Sequence, residues 1–415
     1  GAHARYPASA NPVHRGQTQL GLTIRLILLL AVLLAGCAGR APERPAALTV
    51  PPGSFLSQNG TVLPDAEIAR LARSCDFILM GESHTNPCDH AVQARLVEVL
   101  GQTGMRFIIG LEMLPVTVQP ALDAFNARQT DADELEHKTQ WEKHWGHAYS
   151  MYRPVLETAR RFDLPVAALN IPRETLLRFR DGKPLTAAEQ AMLPRVIPVS
   201  PAQEKSLSEQ VAMHQAMRAM QEGSGNSNAT KKGADERTRK FFLVQSLWDS
   251  MMAGQALKWR KATGQPVLIL AGSGHVEQGW GIEHRLRALE PGVRCLRIMP
   301  ARDKGDLKPA PGASVPEAAA FFACAARNKS RLGMTIIFEG GSARLESIEP
   351  GSTAAEAGLM PGDVILRAGD KPLKDASNLH FAAMAAARKN APLALTVRRA
   401  GKTVEARLPL GSGKE

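Results

Sequence analysis

The sequence is poor in several residue types, and each shortage excludes something. Tyrosine occurs 3 times and cysteine 5 times in 415 residues, and aromatics make up only 5%. The cysteines (Cys37, Cys75, Cys88, Cys295 and Cys324) match no zinc-module spacing, and their pairing does not follow from sequence. No basic block interleaved with aromatics occurs, although 51 Lys+Arg stand against 40 Asp+Glu for a net charge of +11. Scattered positive charge favours anionic surfaces and acidic ligands in general, but it leaves no nucleic-acid footprint, and no nucleic acid partner is expected. The apolar run at 26–34 (LILLLAVLL) is too short to span a bilayer.

That run is still informative. It follows Arg25 and ends in small residues, as the core of a secretory signal does. Leu34-Ala35-Gly36-Cys37 resembles the bacterial lipobox, whose cysteine is acylated and anchors the chain to a membrane rather than spanning it. Residues 1–36 are therefore set aside as preamble and signal, with Cys37 as the lipidation site. Ala38-Gly39 lacks the aspartate that resembles an inner-membrane retention signal, so the expectation is the periplasmic face of the outer membrane. The remaining cysteines then lie in an oxidising compartment. Cys75 and Cys295 stand at or in apolar runs and read as core; Cys88, four residues past His84, is either a ligand or a packed side chain.

With 44% apolar residues the chain can bury two domain cores. Residues 37–60, rich in Pro, Ala and Gly, read as a lipidated tether. Over 61–300, apolar strand candidates (77–80, 106–113, 164–170, 266–272 and 293–299) alternate with amphipathic helical stretches such as 91–100 and 152–162. The pattern predicts an α/β fold: a parallel sheet with flanking helices. Residues 173–262 read as a helical insertion interrupted by a polar loop at 222–236. The span 301–316 reads as an interdomain linker, and 317–415 as a small β-rich domain.

Four strand candidates end in polar residues. FILM runs into Gly81-Glu82-Ser83-His84, FIIGL into Glu112, VAAL into Asn170, and VLILA into Gly272-Ser273-Gly274-His275. Ligands of open parallel sheets bind beyond the carboxyl ends of the strands. If these strands are neighbours, two Gly-x-x-His turns and one or two carboxylates converge on one rim. Taken singly, such a histidine is more often a surface or helix-start residue, and such a glutamate more often caps a helix. Taken together they make a site: ligands His84, His275 and Glu112 for a divalent metal ion, a general base in Glu82 or Glu112, or the surroundings of an iron porphyrin.

GESH, GLEM, WGHAYSMYRPVLETARRFDLPVAALNIPRE, QSLWDSMMA and LAGSGH, in this order, resemble the ChaN-type haem-binding lipoproteins of the Tiki and erythromycin-esterase-like superfamily. The resemblance covers roughly 60–300. It implies haem binding, a role in haem or iron uptake or storage, and a homodimeric site; its Tiki branch implies metal-dependent proteolysis instead. His84, His275 and Glu112 are the residues it carries over. Tyr152, at the family-like Tyr-x-Pro position, is the first candidate for an axial phenolate; packing on the core explains it as well. His147, near His144 and Trp145, and Asn170 complete the expected haem surroundings. Asp249 and Met252, one turn apart on a helix, could border the site or simply pack.

The C-terminal stretch PGSTAAEAGLMPGDVIL resembles the PDZ domain. Leu332, Gly333 and Met334 occupy the place of its carboxylate-binding loop, which implies a protein C-terminus or extended peptide as partner, added as a β-strand between the strand from Met334 and the helix around His380.

Overall fold

The computed structural model describes residues 46–221, 231–313, 318–339, 342–373 and 376–410. The signal, Cys37 and the first part of the tether lie outside the described residues. Among the described residues no helix is long and apolar enough to cross a membrane.

The first sheet contains β1 (Phe55–Leu56), β2 (Phe77–Glu82), β3 (Ile108–Pro115), β4 (Val166–Asn170), β5 (Val267–Gly272), β6 (Cys295–Ala301) and β7 (Ala318–Ala323). Their spatial order is β1-β7-β6-β2-β5-β3-β4, parallel throughout except for the β1–β7 pair. Strands β2, β3 and β5 are buried along their whole length, as continuous apolar runs require when helices cover both faces. One face packs on the helices Pro87–Gln102 and Tyr149–Arg161; the other packs on the 33-residue helix Lys231–Thr263 and on Ile282–Leu289. The predicted helical insertion is present as Arg173–Arg180, Ala187–Met192, Pro201–Gln221 and Lys231–Thr263. The polar loop read over 222–236 is shorter on its C-terminal side, because the last helix starts at Lys231; residues 222–230 lie outside the described residues.

Two boundaries differ from the sequence reading. Strand β7 joins β6 in the first sheet, so 301–316 connects two strands of one domain and does not link two domains. Leu307 in that span is buried. At the other end, Phe55 and Leu56 pair with β7, which places part of the expected tether in the sheet. Cys75 and Cys295 are buried and outside any disulfide, as a core reading expects, whereas Cys88 is bonded to Cys324 across 236 residues and is unavailable as a ligand.

The second sheet is antiparallel: β8 (Ala326–Lys329), β9 (Met334–Glu339), β10 (Ser342–Ile348), β11 (Val364–Ala368), β12 (Lys371–Pro372), β13 (Leu393–Arg399) and β14 (Lys402–Leu408). The order is β14-β13-β11-β10-β9-β8, with β12 on β11 and the helix Ala376–Arg388 packed against β11 and β13. Its core includes Met334, Ile336, Leu345, Leu379 and Leu395.

Candidate functional site

Neighbouring strands bring the polar strand ends together. Glu82 is in register with Gly272, so the β2 and β5 turns leave the sheet side by side. The β3–β4 register shifts between Leu111 and Pro115. An irregularity of this kind re-aims a side chain, and Glu112 lies within it. Its Oε2 accepts the backbone N–H of Gly272 at 2.6 Å, and its Oε1 lies 3.4 Å from His275 Nε2. His84 packs over the same glycine: a Cβ at Gly272 would lie 2.7 Å from His84 Cε1. His84, Glu112 and His275 therefore surround Gly272.

Each histidine rests its Nδ1 on a buried carboxylate. His84 Nδ1 lies 2.9 Å from Glu82 Oε1, and His275 Nδ1 lies 2.6 Å from Oδ1 of fully buried Asp249. Asp249 also accepts from Gln203 at 3.1 Å and Gln245 at 3.2 Å, with the Arg285 guanidinium 3.5 Å away. Burial alone would lower the pKa of His275, but the Glu112 and Asp249 carboxylates overcome it and hold the value well above 6.5. For His84 the same opposition, burial against Glu82 and Glu112, ends in a raised value. Glu112 is held below its ordinary range: burial opposes this, and His275, His84 and the Gly272 N–H outweigh it.

Two sequence-predicted residues serve elsewhere than expected. Tyr152 is 2% exposed and lies beneath the rim, not on it. Its hydroxyl donates to Glu82 Oε1 at 2.6 Å and accepts from Trp145 Nε1 at 3.0 Å. Burial, then the neighbouring Glu82 charge, push its pKa far up, which disfavours the phenolate an axial ligand needs. Tyr152 positions Glu82 instead. Asn170 donates to the Glu112 carbonyl oxygen at 2.8 Å and accepts from the Ile171 N–H, so it pins the β3 irregularity rather than lining the cleft. The metal set His84, His275 and Glu112 is adjacent, yet no group of three His, Cys, Asp or Glu among the described residues is arranged to hold a metal ion. His275 and Glu112 direct their polar atoms at each other.

His147 does border the site, with its ring 5.2 Å from that of His84; Trp145 lies edge-on to His84 at 4.7 Å. Sequence reasoning left Asp249 undecided and missed Gln93, which donates to Glu82 Oε2 at 2.6 Å. The only signal for Asp249 was a carboxylate amid the apolar residues of QSLWDSMMA.

The rim opens into a cavity of about 740 Å³. Its lining combines the polar groups of Glu82, His84 and His275 around Gly272 with the apolar side chains of Met299, Pro300, Pro309 and Phe321. Arg302, Lys308 and Arg327 add positive charge. Arg302 is fixed by both oxygens of buried Asp89, at 2.7 and 2.6 Å.

Residues 68–286, more than half of the sequence, match the profile of the family described as haem-binding uptake, Tiki superfamily, ChaN. The chain belongs to that family. Residues 330–410 match the PDZ domain. Among solved structures, the ChaN-family region is similar to ChaN of Campylobacter jejuni with cofacially bound haem (18% identity, 65% of this chain and 96% of that one, TM-score 0.49). An erythromycin esterase, a mutant of EreC in its open conformation, is similar at 15% identity (77% and 91%, TM-score 0.35). The HtrA3 PDZ domain bound to a phage-derived ligand is similar at 26% identity (17% and 64%, TM-score 0.15). No curated protein matches the sequence.

Proposed function

We propose that this ChaN-family chain binds haem in the cleft between β2, β5 and β6, at the cell envelope. The carrying observation is the state of His84. Its Nδ1 is taken by buried Glu82, while its Nε2 has no hydrogen-bond partner among the described residues and borders the cavity. A histidine oriented by a carboxylate on its other nitrogen is the usual arrangement of a metal-ligating imidazole. The remaining residues fit the group. The cavity volume lies within the range of about 300–1,000 Å³ of small-molecule sites. Met299, Pro300, Pro309 and Phe321 give the porphyrin face an apolar lining. Lys308 can meet a propionate directly, and Arg327, although paired with Glu346, keeps a buried Nε without a partner. Bound haem supplies an iron that accepts an imidazole nitrogen. The chain's own residues hold that imidazole in place, shield it from water and neutralise the carboxylates.

Lipidation at Cys37, attachment to the outer membrane, haem or iron uptake or storage, and a homodimer complete the proposal; they rest on the lipobox-like segment and on family membership. Haemin titration of the purified protein should give a saturable Soret band that is lost in His84→Ala and weakened in His275→Ala. A wild type with no saturable band ends the proposal.

A second reading, hydrolysis, is favoured by one observation: His275 sits between Asp249 and Glu112, as an acid–base pair would. In this reading a divalent metal bound by His84 and His275 would displace the His275–Glu112 contact and leave Glu112 or Glu82 as the base. Purified protein should then carry stoichiometric metal by elemental analysis and lose ester or peptide turnover on chelation; metal-free, inert protein counts against it.

A further inference from the structure

The peptide-binding edge of the PDZ sheet is occupied by the chain itself. Peptide recognition by strand addition needs a free edge on β9 and free N–H groups in the loop before it. Neither is free. Strand β8 pairs antiparallel with β9 in the register Ala326↔Phe338, Arg327↔Ile337, Asn328↔Ile336 and Lys329↔Thr335. The pairing continues one residue further, where the Ser330 N–H donates to the Met334 carbonyl at 2.8 Å. At that point the segment behaves as a peptide terminus does. The Ser330 carbonyl accepts the Gly333 N–H at 3.1 Å, and the Ser330 hydroxyl accepts the Leu332 N–H at 3.1 Å. Two oxygens of one residue thus stand where the loop would hold the two oxygens of a carboxylate.

The loop conformation depends on glycine. Gly333 has φ +83°, and a Cβ there would lie 2.1 Å from Ser352 Cβ. Charge holds the segment down as well: Arg327 pairs with Glu346, and Lys329 with Glu349 at 2.7 Å.

We propose that residues 326–330 are the resident ligand of the PDZ domain and that an external peptide with a free carboxylate binds only by displacing them. Displacement also withdraws Ala326 and Arg327 from the wall of the large cavity, because both line it. Simple covering of an exposed edge against aggregation predicts no such exchange.

The test uses the full chain and a fluorescein-labelled peptide Ala-Arg-Asn-Lys-Ser with a free carboxylate. Ser330 and Met334 form a hydrogen-bonded pair, so the alternation of an antiparallel ladder makes Asn328 and Ile336 the next such pair. Asn328→Pro removes that donor and should open the edge. By fluorescence polarisation this variant should bind the peptide at least tenfold more tightly than wild type. Lys329 and Thr335 face each other as a non-hydrogen-bonded pair, whose close spacing suits a disulfide. The double variant Lys329→Cys with Thr335→Cys should therefore bind no peptide when oxidised and, lacking the Lys329–Glu349 pair, bind at least as tightly as wild type when reduced. Wild type in the same reductant is the control, since the Cys88–Cys324 bond opens too. Equal affinity in wild type and the oxidised double variant overturns the proposal, as does a natively folded Asn328→Pro that binds no better than wild type. If Asn328→Pro does not fold, the oxidised and reduced double variant decides the matter.

Discussion

Gly272→Ala tests whether His84 is the wall of the site. Gly272 has φ −54° and ψ 144°, a conformation open to any L-residue, so alanine introduces no backbone strain. All of its effect comes from one new methyl group. That methyl would lie 2.7 Å from His84 Cε1 and 3.0 Å from Nε2, where ordinary contact begins at 3.4 Å. The ring must retreat by roughly 0.7 Å to relieve the clash. It retreats either against Trp145 and His147, whose rings stand 4.7 and 5.2 Å away, or into the cleft itself, and either movement strains the 2.9 Å bond to Glu82. Overpacking of this kind costs about 1–3 kcal/mol, and a hydrogen bond to a charged group is worth about 1.5–3 kcal/mol. Haemin affinity should fall by roughly tenfold to a hundredfold, at about 1.4 kcal/mol per factor of ten. Soret titration reads the affinity and calorimetry the stability. Gly274→Ala is the internal control, because a Cβ there meets nothing within 4 Å. Wild-type affinity and thermal midpoint in Gly272→Ala, or an equal loss in Gly274→Ala, would refute the argument.

Tyr152→Phe should retain the Soret band and lose about 1–3 kcal/mol of stability, because buried Glu82 loses a donor; a folded variant that binds no haemin would return the tyrosine to the ligand role. His275 is raised above its ordinary 6.5, so the stability it contributes is complete below that pH and is lost as pH rises through its folded value. Glu112, lowered from 4.5, contributes above that pH and loses its contribution as pH falls through its folded value. The thermal midpoint of wild type should therefore decline on the alkaline side more steeply than that of His275→Gln, as followed by circular dichroism; parallel profiles would remove the coupling. Opening the Cys88–Cys324 bond by paired Cys→Ser substitution should lower stability by up to about 5 kcal/mol, since its loop is long; an unchanged calorimetric midpoint would show that the bond is not formed in solution.

The parallel sheet was legible because β2 to β5 each carry a continuous apolar run, and burial on both faces leaves that mark on any sequence. The rim was legible because Gly-x-x-His recurs at two strand ends that pair in register. Strand β7 was not legible. Its Ala-Ala-Ala-Phe-Phe-Ala carries no β-branched residue, so only its place between β1 and β6 makes it a strand. Nor was the Cys88–Cys324 bond legible, since local pattern carries no information across 236 residues.

Tyr152 shows the limit for single side chains. Its position at a helix start follows from the local pattern, but whether a tyrosine faces a cavity or a buried carboxylate depends on the neighbours that tertiary packing supplies. Here Trp141 and His90 close over the ring, with centroids 5.1 and 4.3 Å away, and Glu82 takes the hydroxyl. Glu82 then has three side-chain donors around it: Tyr152, Gln93 and His84. Two of these are buried and fixed, so the third, His84, is oriented by the rest of the set. The tyrosine thus acts on the site one step removed, by fixing the carboxylate that aims the exposed edge of His84 at the cleft.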